Sequence, residues 1–319
     1  MSSSTTAIPS TNGTNGISAK PVKTREVHNH HADSTIWNDF KFRPGDIIIA
    51  TWAKSGTTWM QQIVSQLVFK GDAEVRPNIL SPWVDARFQK REELYDFLES
   101  QNHRRFMKTH LPINALPWKS EAKYIFVARD GRDMIWSLHH HMFNATPAFF
   151  DIVNNTPGRV GPECRRPSSN PRDIFLDMVD NDVKAELVWP LWSHIGGYWA
   201  ARHQPNLLLV HFADLKADLD GEMRRIAKFL DIPEMPAENW KAAVEHCTFD
   251  WMKEHASNFA PPMAAITWEG GAKHFINKGT NGRWKDVLSE EDNKRYAEKV
   301  KSELGEECAR WLEHGGHVN

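Results

Sequence analysis

The chain has 319 residues, 40% of them hydrophobic and 25% charged, and a formal net charge of −2. This is the balance of an ordinary folded protein long enough for one large α/β domain, and it excludes a general nucleic-acid binder, which needs a basic excess. Cys164, Cys247 and Cys308 form no C-x-x-C pair and no apolar stretch is long enough to span a bilayer, so a disulfide framework, a zinc finger and a membrane span are not expected, and the unpaired cysteines suit a reducing, cytoplasmic compartment.

Residues 2–16 are rich in Ser, Thr, Asn and Gly and lack the apolar core of a signal peptide. Residues 1–34 are expected to form a flexible leader, with His28, His30 and His31 in a solvated tail rather than around a metal. Residues 35–319 are expected to form one domain. The apolar run 46–51 reads as a buried strand. It stops at Lys54-Ser55-Gly56-Thr57-Thr58-Trp59, and 58–69 follow with apolar residues at helical spacing. Strand, tight loop and helix in this order make a phosphate-binding element, because the helix N-terminus offers unpaired N–H groups and partial positive charge. Lys54 adds a full charge, and Ser55, Thr57 and Thr58 add hydroxyl donors. Lys54 precedes Gly56, whereas the ATPase loop places Lys after its last Gly. The loop therefore predicts a related cradle for a phosphorylated or sulfated nucleotide.

A helix is predicted over 91–100 and a second strand over 105–109, which runs out through Lys108-Thr109-His110-Leu111-Pro112. Pro112 disfavours helix before it, so His110 lies in an extended turn at the strand end. A neutral His there is a natural general base. A third strand, 123–128, ends at Arg129, which can grip a phosphate in a bidentate way. Asp130 or Asp133 caps the helix that follows, 133–143. The run His139-His140-His141 does not converge on a metal, since consecutive helical residues point about 100° apart.

The stretch 145–171 holds several Pro, Gly and Asn residues and is expected to be a loop serving as a substrate lid. A helix over 173–202, a fourth strand over 206–212 and helices over 219–230 and 289–314 follow, with 258–281 irregular. Alternating strands and helices imply a single α/β domain with a mostly parallel central sheet flanked by helices. Ligands of such sheets bind beyond the carboxyl ends of the strands. Lys54, Lys108, His110 and Arg129 all lie at or just beyond such ends.

Four ordered segments resemble the PAPS-dependent sulfotransferases, over about residues 35–290. PAPS is 3′-phosphoadenosine 5′-phosphosulfate, and PAP is the bisphosphate left after transfer. The loop Lys54-Ser55-Gly56-Thr57-Thr58-Trp59 is similar to the family's P-loop-like 5′-phosphosulfate loop, and Lys108-Thr109-His110-Leu111-Pro112 to the string that carries its catalytic base. Arg129 and Ser137 match its 3′-phosphate pair, and Lys278-Gly279 matches a closing loop written Arg-Lys-Gly-x-x-Gly-x-Trp-Lys. The resemblance implies sulfuryl transfer from PAPS to a hydroxyl or amine without a metal, with His110 as base, Lys54 on the leaving phosphate and Lys108 assisting.

It also implies adenine contacts from Trp59 and Phe249, and acceptor contacts from Trp83, Phe88, His141 and Phe143. Three positions depart from the family pattern: Asn277 stands for Arg, Cys247 for Thr and Phe212 for Tyr. Arg283 or a neighbour is expected to supply the charge absent at Asn277. The implied acceptor is a small molecule, with an aromatic or apolar alcohol suggested by Trp83 and Phe88. Two rival readings are a P-loop small-molecule kinase, which needs a strand-end Asp for Mg²⁺, and a non-catalytic nucleotide-binding protein. Acceptor identity and oligomeric state are not legible.

Overall fold

A computed structural model describes residues 20–181 and 190–318. The predicted strands appear within a residue or so at each end, as β1 (Ile47–Thr51), β2 (Phe106–Thr109), β3 (Lys123–Ala128) and β4 (Leu207–His211). They form one sheet in the order β2-β1-β3-β4, and every pairing is parallel. The chain steps to one side of β1 for β2 and to the other side for β3. The order thus reverses at β1, and the crevice beyond β1 and β3 is where such a sheet binds ligands.

Both faces of the sheet are covered, which is why the strands read as continuous apolar runs. Side chains alternate along a strand. Ile47 and Ile49 of β1 pack with Ile63, Val64 and Leu67 of helix α1 (Thr57–Val68) on one face. Ile48 and Ala50 belong to the other face, with Phe126 of β3. The remaining longer helices are α2 (Arg91–Ser100), α3 (Gly131–Phe143), α4 (Pro147–Asn155), α5 (Pro171–Asn181), α6 (Leu191–Ala200), α7 (Leu219–Phe229), α8 (Ala237–His246) and α9 (Glu290–His314). Ile195 and Tyr198 of α6 complete the second face, and Ile226 of α7 and Ala243 of α8 complete the first.

Several expectations need correction. The predicted leader does not extend to 34: Ala32 is fully buried, its backbone bridges to Ala86, and Ser34 N–H donates to the Val27 carbonyl at 2.8 Å. Polar composition hid this, because the side chains of Asn29, Asp33 and Ser34 satisfy the local backbone and let it pack. Residues 1–19 of the leader lie outside the described residues, as do 182–189 in the middle of the predicted helix 173–202. The stretch 145–171 is not loop throughout, since Pro147 opens α4. The region 258–281 contains the short helices Ala264–Thr267 and Gly271–Phe275, and α8 was not predicted. The last helix begins with a reciprocal capping box between Ser289 and Asp292 and is kinked at Gly305.

At the end of the sheet opposite the crevice, Arg105 and Asp46 form a buried ion pair. Arg105 Nε and Nη2 donate to the two Asp46 oxygens at 2.9 and 2.6 Å, and both side chains are 1% exposed. The pair ties β2 to β1 in register. Arg105→Ala strands the Asp46 carboxylate, and removing one partner of such a pair costs about 3–5 kcal/mol. Urea unfolding is expected to show a loss of that size, and a smaller one for the double change Arg105→Met with Asp46→Leu. Equal losses would mean that the pair is not what holds this end.

Candidate active site

The loop after β1 turns sharply because two residues adopt left-handed backbone, Lys54 at φ +67° and Gly56 at φ +108°. Only glycine fits at 56, where a Cβ would lie 2.9 Å from the Phe212 ring. Gly56 is also the N-cap of α1, and no side chain caps that helix. Its first N–H groups are thereby directed at the crevice, the arrangement that receives an anion. The Ser55 hydroxyl is not part of this cradle. Ser55 is fully buried and donates to the Trp52 carbonyl at 2.9 Å, so only its backbone faces the turn. The Thr57 hydroxyl pairs with Thr51 Oγ1 at 2.7 Å, and Thr58 is half-buried at the helix start.

Parallel pairing of β1 with β2 places Ala50 beside Thr109, so the residues just beyond each strand are neighbours. His110 Nδ1 lies 3.0 Å from the Thr51 carbonyl and 2.9 Å from Thr51 Oγ1. A carbonyl only accepts, so Nδ1 carries the proton and the basic lone pair is on Nε2. The backbone of His110 is held as well. Its N–H faces Asp85 Oδ2 at 3.4 Å, and its carbonyl is 3.1 Å from His194 Nε2. Thr51, Asp85 and His194 were not singled out from the sequence. Thr51 ends a strand on the crevice rim and was legible on that ground; the other two become neighbours only through folding.

The segment carrying Trp83 is paired to the outer edge of β2. Lys108 N–H donates to the Pro82 carbonyl at 3.0 Å and Val84 N–H to the Lys108 carbonyl at 3.1 Å. Trp83 Nε1 donates to Asp85 Oδ2 at 2.7 Å, which sets the indole edge-on to His110 with centroids 5.0 Å apart. His31 stacks on Trp83 and meets the Phe88 and Phe149 rings at centroid distances of 5.9 Å each. Phe149 contacts Trp268, which contacts both His141 and Phe275. Lys54 Nζ closes the circuit, 3.4 Å from His141 Nδ1 and 5.3 Å from the Phe275 centroid. An aromatic wall therefore runs from His110 round to Lys54. Trp83, Phe88 and His141 lie on it. Phe143 does not: it stacks on His139, two residues along the helix from His141 and on another face. The wall residues missed in the sequence, His31, Phe149, Trp268 and Phe275, come from the supposed leader, lid and irregular region.

Positive charge is crowded on this rim. Burial, then Arg129 and Lys108, pull Lys54 down to about 8, and burial pulls Lys108 to about 8 against the opposing effect of Asp85. Burial, with Lys108 and Lys54 beside it, pushes His110 down to about 3, so its imidazole is neutral. Burial also lowers Arg129. The Arg129 guanidinium sits 4.4 Å over the Phe212 ring and reaches the closing loop, donating to the Thr280 carbonyl at 2.8 Å and to Asn281 Oδ1 at 3.0 Å. Phe212, which departs from the family's Tyr, thus packs under Arg129.

Ser137 lies on the α3 row between Asp133, which accepts from Gly282 N–H at 2.8 Å, and His141. Gly279, at φ +61°, brings its backbone against Phe249, whose ring a Cβ would meet at 2.6 Å. Lys278 beside it is exposed. Trp59 stands edge-on to Phe212 at 5.2 Å and donates from Nε1 to the Cys247 carbonyl at 2.8 Å. Arg283 stacks 3.6 Å from the Trp136 centroid and adds to the positive potential at Arg129. By contrast Asp130 is consumed locally: its carboxylate accepts from Arg132 N, Nε and Nη2. It offers no strand-end ligand for Mg²⁺.

A family model described as Sulfotransferase domain matches residues 44–307. A glycolipid sulfotransferase of Mycobacterium bovis (strain BCG / Pasteur 1173P2) is 30% identical, the match covering 93% of this chain and 97% of the relative. Sulfotransferase 1E1 of Homo sapiens is 27% identical, covering 82% and 86%. Among solved structures, retinol dehydratase in a complex with retinol and PAP superposes with TM-score 0.63 at 24% identity, covering 85% of this chain and 84% of that one. A mouse sulfotransferase complexed with PAP gives TM-score 0.64 at 20% identity, covering 93% and 94%. Among the described residues no helix is long and apolar enough to cross a membrane. The family match spans the loop, the strand ends and the closing segment described above, and the chain belongs to the sulfotransferase domain family.

Proposed function

We propose that this sulfotransferase moves a sulfuryl group from PAPS to a hydroxyl of an apolar or aromatic small molecule, with His110 as the general base. The observation that carries the reading is the pairing of β1 with β2. It sets a neutral imidazole, with its Nδ1 proton held by Thr51, on the same rim as Lys54 and the open N-terminus of α1. PAPS fits this rim because it presents two anionic ends. The loop of Lys54–Thr58 and the α1 N–H groups would receive the 5′-phosphosulfate, with Trp59 and Phe249 beside the adenine. Arg129, Ser137, Lys278 and Gly279 would receive the 3′-phosphate, with Arg283 making up for Asn277.

His110 Nε2 accepts the proton of the acceptor hydroxyl as its oxygen bonds to sulfur. Lys54 and the loop N–H groups stabilise the charge that collects on the phosphate oxygen as the sulfur–oxygen bond breaks. Lys108 lends its charge to the same region. Burial, and then Lys108 and Lys54, depress His110 in the free protein, and an anion placed between the cations offsets their share and raises its basicity. The aromatic wall favours an apolar acceptor body. The glycolipid sulfotransferase relative and the retinol-bound neighbour support that class. A kinase reading is disfavoured by the engagement of Asp130 with Arg132.

Thermal-shift measurements are expected to show stabilisation by PAP without metal and none by Mg-ATP; the reverse preference would sink the assignment. His110→Ala is expected to lower turnover by about 10²–10⁴ with the fold intact. Lys54→Ala mainly reduces turnover, whereas Arg129→Ala mainly weakens PAP binding, each separable by single-turnover rates and PAP titration. The pH profile follows from the lysines. Both are needed charged and both sit near 8, so kcat/KM for PAPS falls as pH rises through about 8. Bound anion favours the charged lysines, so the same limb in kcat moves to higher pH. Coincident limbs would show that Lys54 and Lys108 do not face the cofactor.

A further inference from the structure

The 24–34 segment and the end of the 145–171 stretch meet at the aromatic wall in a cluster whose His30 and Cys164 have no part in the proposed transfer. His30, His31 and Cys164 each offer one ligand atom, and these atoms all lie within 4.8 Å of one another. His30 is 3% exposed, Cys164 is 2% exposed, and His31 is partly buried. The Nδ1 atoms of His30 and His31 face each other.

Each contributing backbone is pinned. Asn29 Oδ1 accepts from the His31 and Ala32 N–H groups at 2.8 and 2.9 Å. The His30 carbonyl takes Arg87 Nε at 2.8 Å, and the His31 carbonyl takes the Arg87 backbone N–H at 3.1 Å. Asn154 clasps Cys164 from both sides, its Nδ2 donating to the Cys164 carbonyl at 2.9 Å and its Oδ1 accepting the Cys164 N–H at 2.8 Å. The nearby cation, Arg87, directs its terminal nitrogens to the carbonyls of Val153, Thr156 and Pro157.

Two imidazoles and one thiolate are the donors of a borderline-soft ion. Hard cations such as Mg²⁺ and Ca²⁺ select oxygen instead. With Zn–N about 2.0 Å and Zn–S about 2.3 Å, tetrahedral ligand atoms stand roughly 3.3–3.6 Å apart. The three atoms, all within 4.8 Å of one another, stand close enough for side-chain adjustment to approach that spacing. Three protein ligands leave the fourth position for water, as in zinc sites that are not purely structural.

We propose that His30, His31 and Cys164 form a Zn²⁺ site that staples the N-terminal segment to the segment following α4. The ion closes a long stretch of chain, so it adds stability beyond its local contacts. It also fixes the acceptor wall, because His31 is the ring that touches Trp83, Phe88 and Phe149. This inference stands independently of the acceptor proposed above.

The test uses the full chain with any affinity tag removed and chelator stripped away. Titration calorimetry with Zn²⁺ is expected to give one equivalent bound, with a rise in melting temperature. Co²⁺ in its place is expected to give a thiolate-to-cobalt charge-transfer band. Loss of an outer-shell partner alone weakens metal sites by about 10–100-fold. His30→Gln is therefore expected to weaken Zn²⁺ by at least that much, and Cys164→Ser to abolish the cobalt band, while Cys247→Ser leaves both intact. If Cys164→Ser fails to fold, His30→Gln alone decides. Absence of stoichiometric Zn²⁺ uptake by the parent chain, or uptake unchanged in His30→Gln, overturns the proposal.

Discussion

The constraint on which the site depends is the crowding of positive charge at the carboxyl rim of one small parallel sheet. Lys54, Lys108 and Arg129 stand at three adjacent strand ends; burial lowers each of them, and at Lys54 the charges of Arg129 and Lys108 lower it further. The fold enforces this crowding. Four hydrogen-bonded strands, covered on both faces, fix the spacing of whatever follows each carboxyl end. A bound polyanion relieves the repulsion, so affinity for such a ligand is stored in the folded state as strain between like charges. Burial, with Lys108 and Lys54 beside it, keeps His110 neutral.

Much of this was legible in the order of residues. Apolar runs bounded by polar turns marked the four strands, because a parallel sheet buried on both faces leaves no solvent side to alternate with. The tight loop with Lys54 ahead of Gly56 and the cluster of reactive residues at strand ends marked the rim. The rest was hidden for physical reasons. Polar side chains that bond their own backbone, as Asn29 and Asp33 do, look like disordered tail in a sequence and pack tightly in a fold. Whether the Ser55 hydroxyl faces a ligand or the Trp52 carbonyl depends on the direction of one rotamer. His141 and Phe143 are close in sequence yet on different faces, and only the packed helix shows which one meets Trp268.

The acceptor wall illustrates the limit most clearly. Trp83 and Phe88 come from one loop, Phe149 from α4, Trp268 and Phe275 from the region before the last helix, and His31 from the far N-terminal side. None of these segments carries a spacing signal, since each contributes only one or two rings. Their convergence follows from long-range pins such as Arg87, which joins the His30 carbonyl to the carbonyls at the C-terminal end of α4. On the proposed reading, specificity is a property of loop docking, whereas the reactive centre is a property of the sheet.

The backbone at Lys54 carries a consequence of its own. A side chain held at φ +67° costs roughly 1–2 kcal/mol that glycine would not incur. The loop therefore retains at its tightest point a residue the backbone disfavours. On the role proposed for Lys54, mutations selected only for thermal resistance would be drawn to that position, and each gain in robustness there would be taken from turnover.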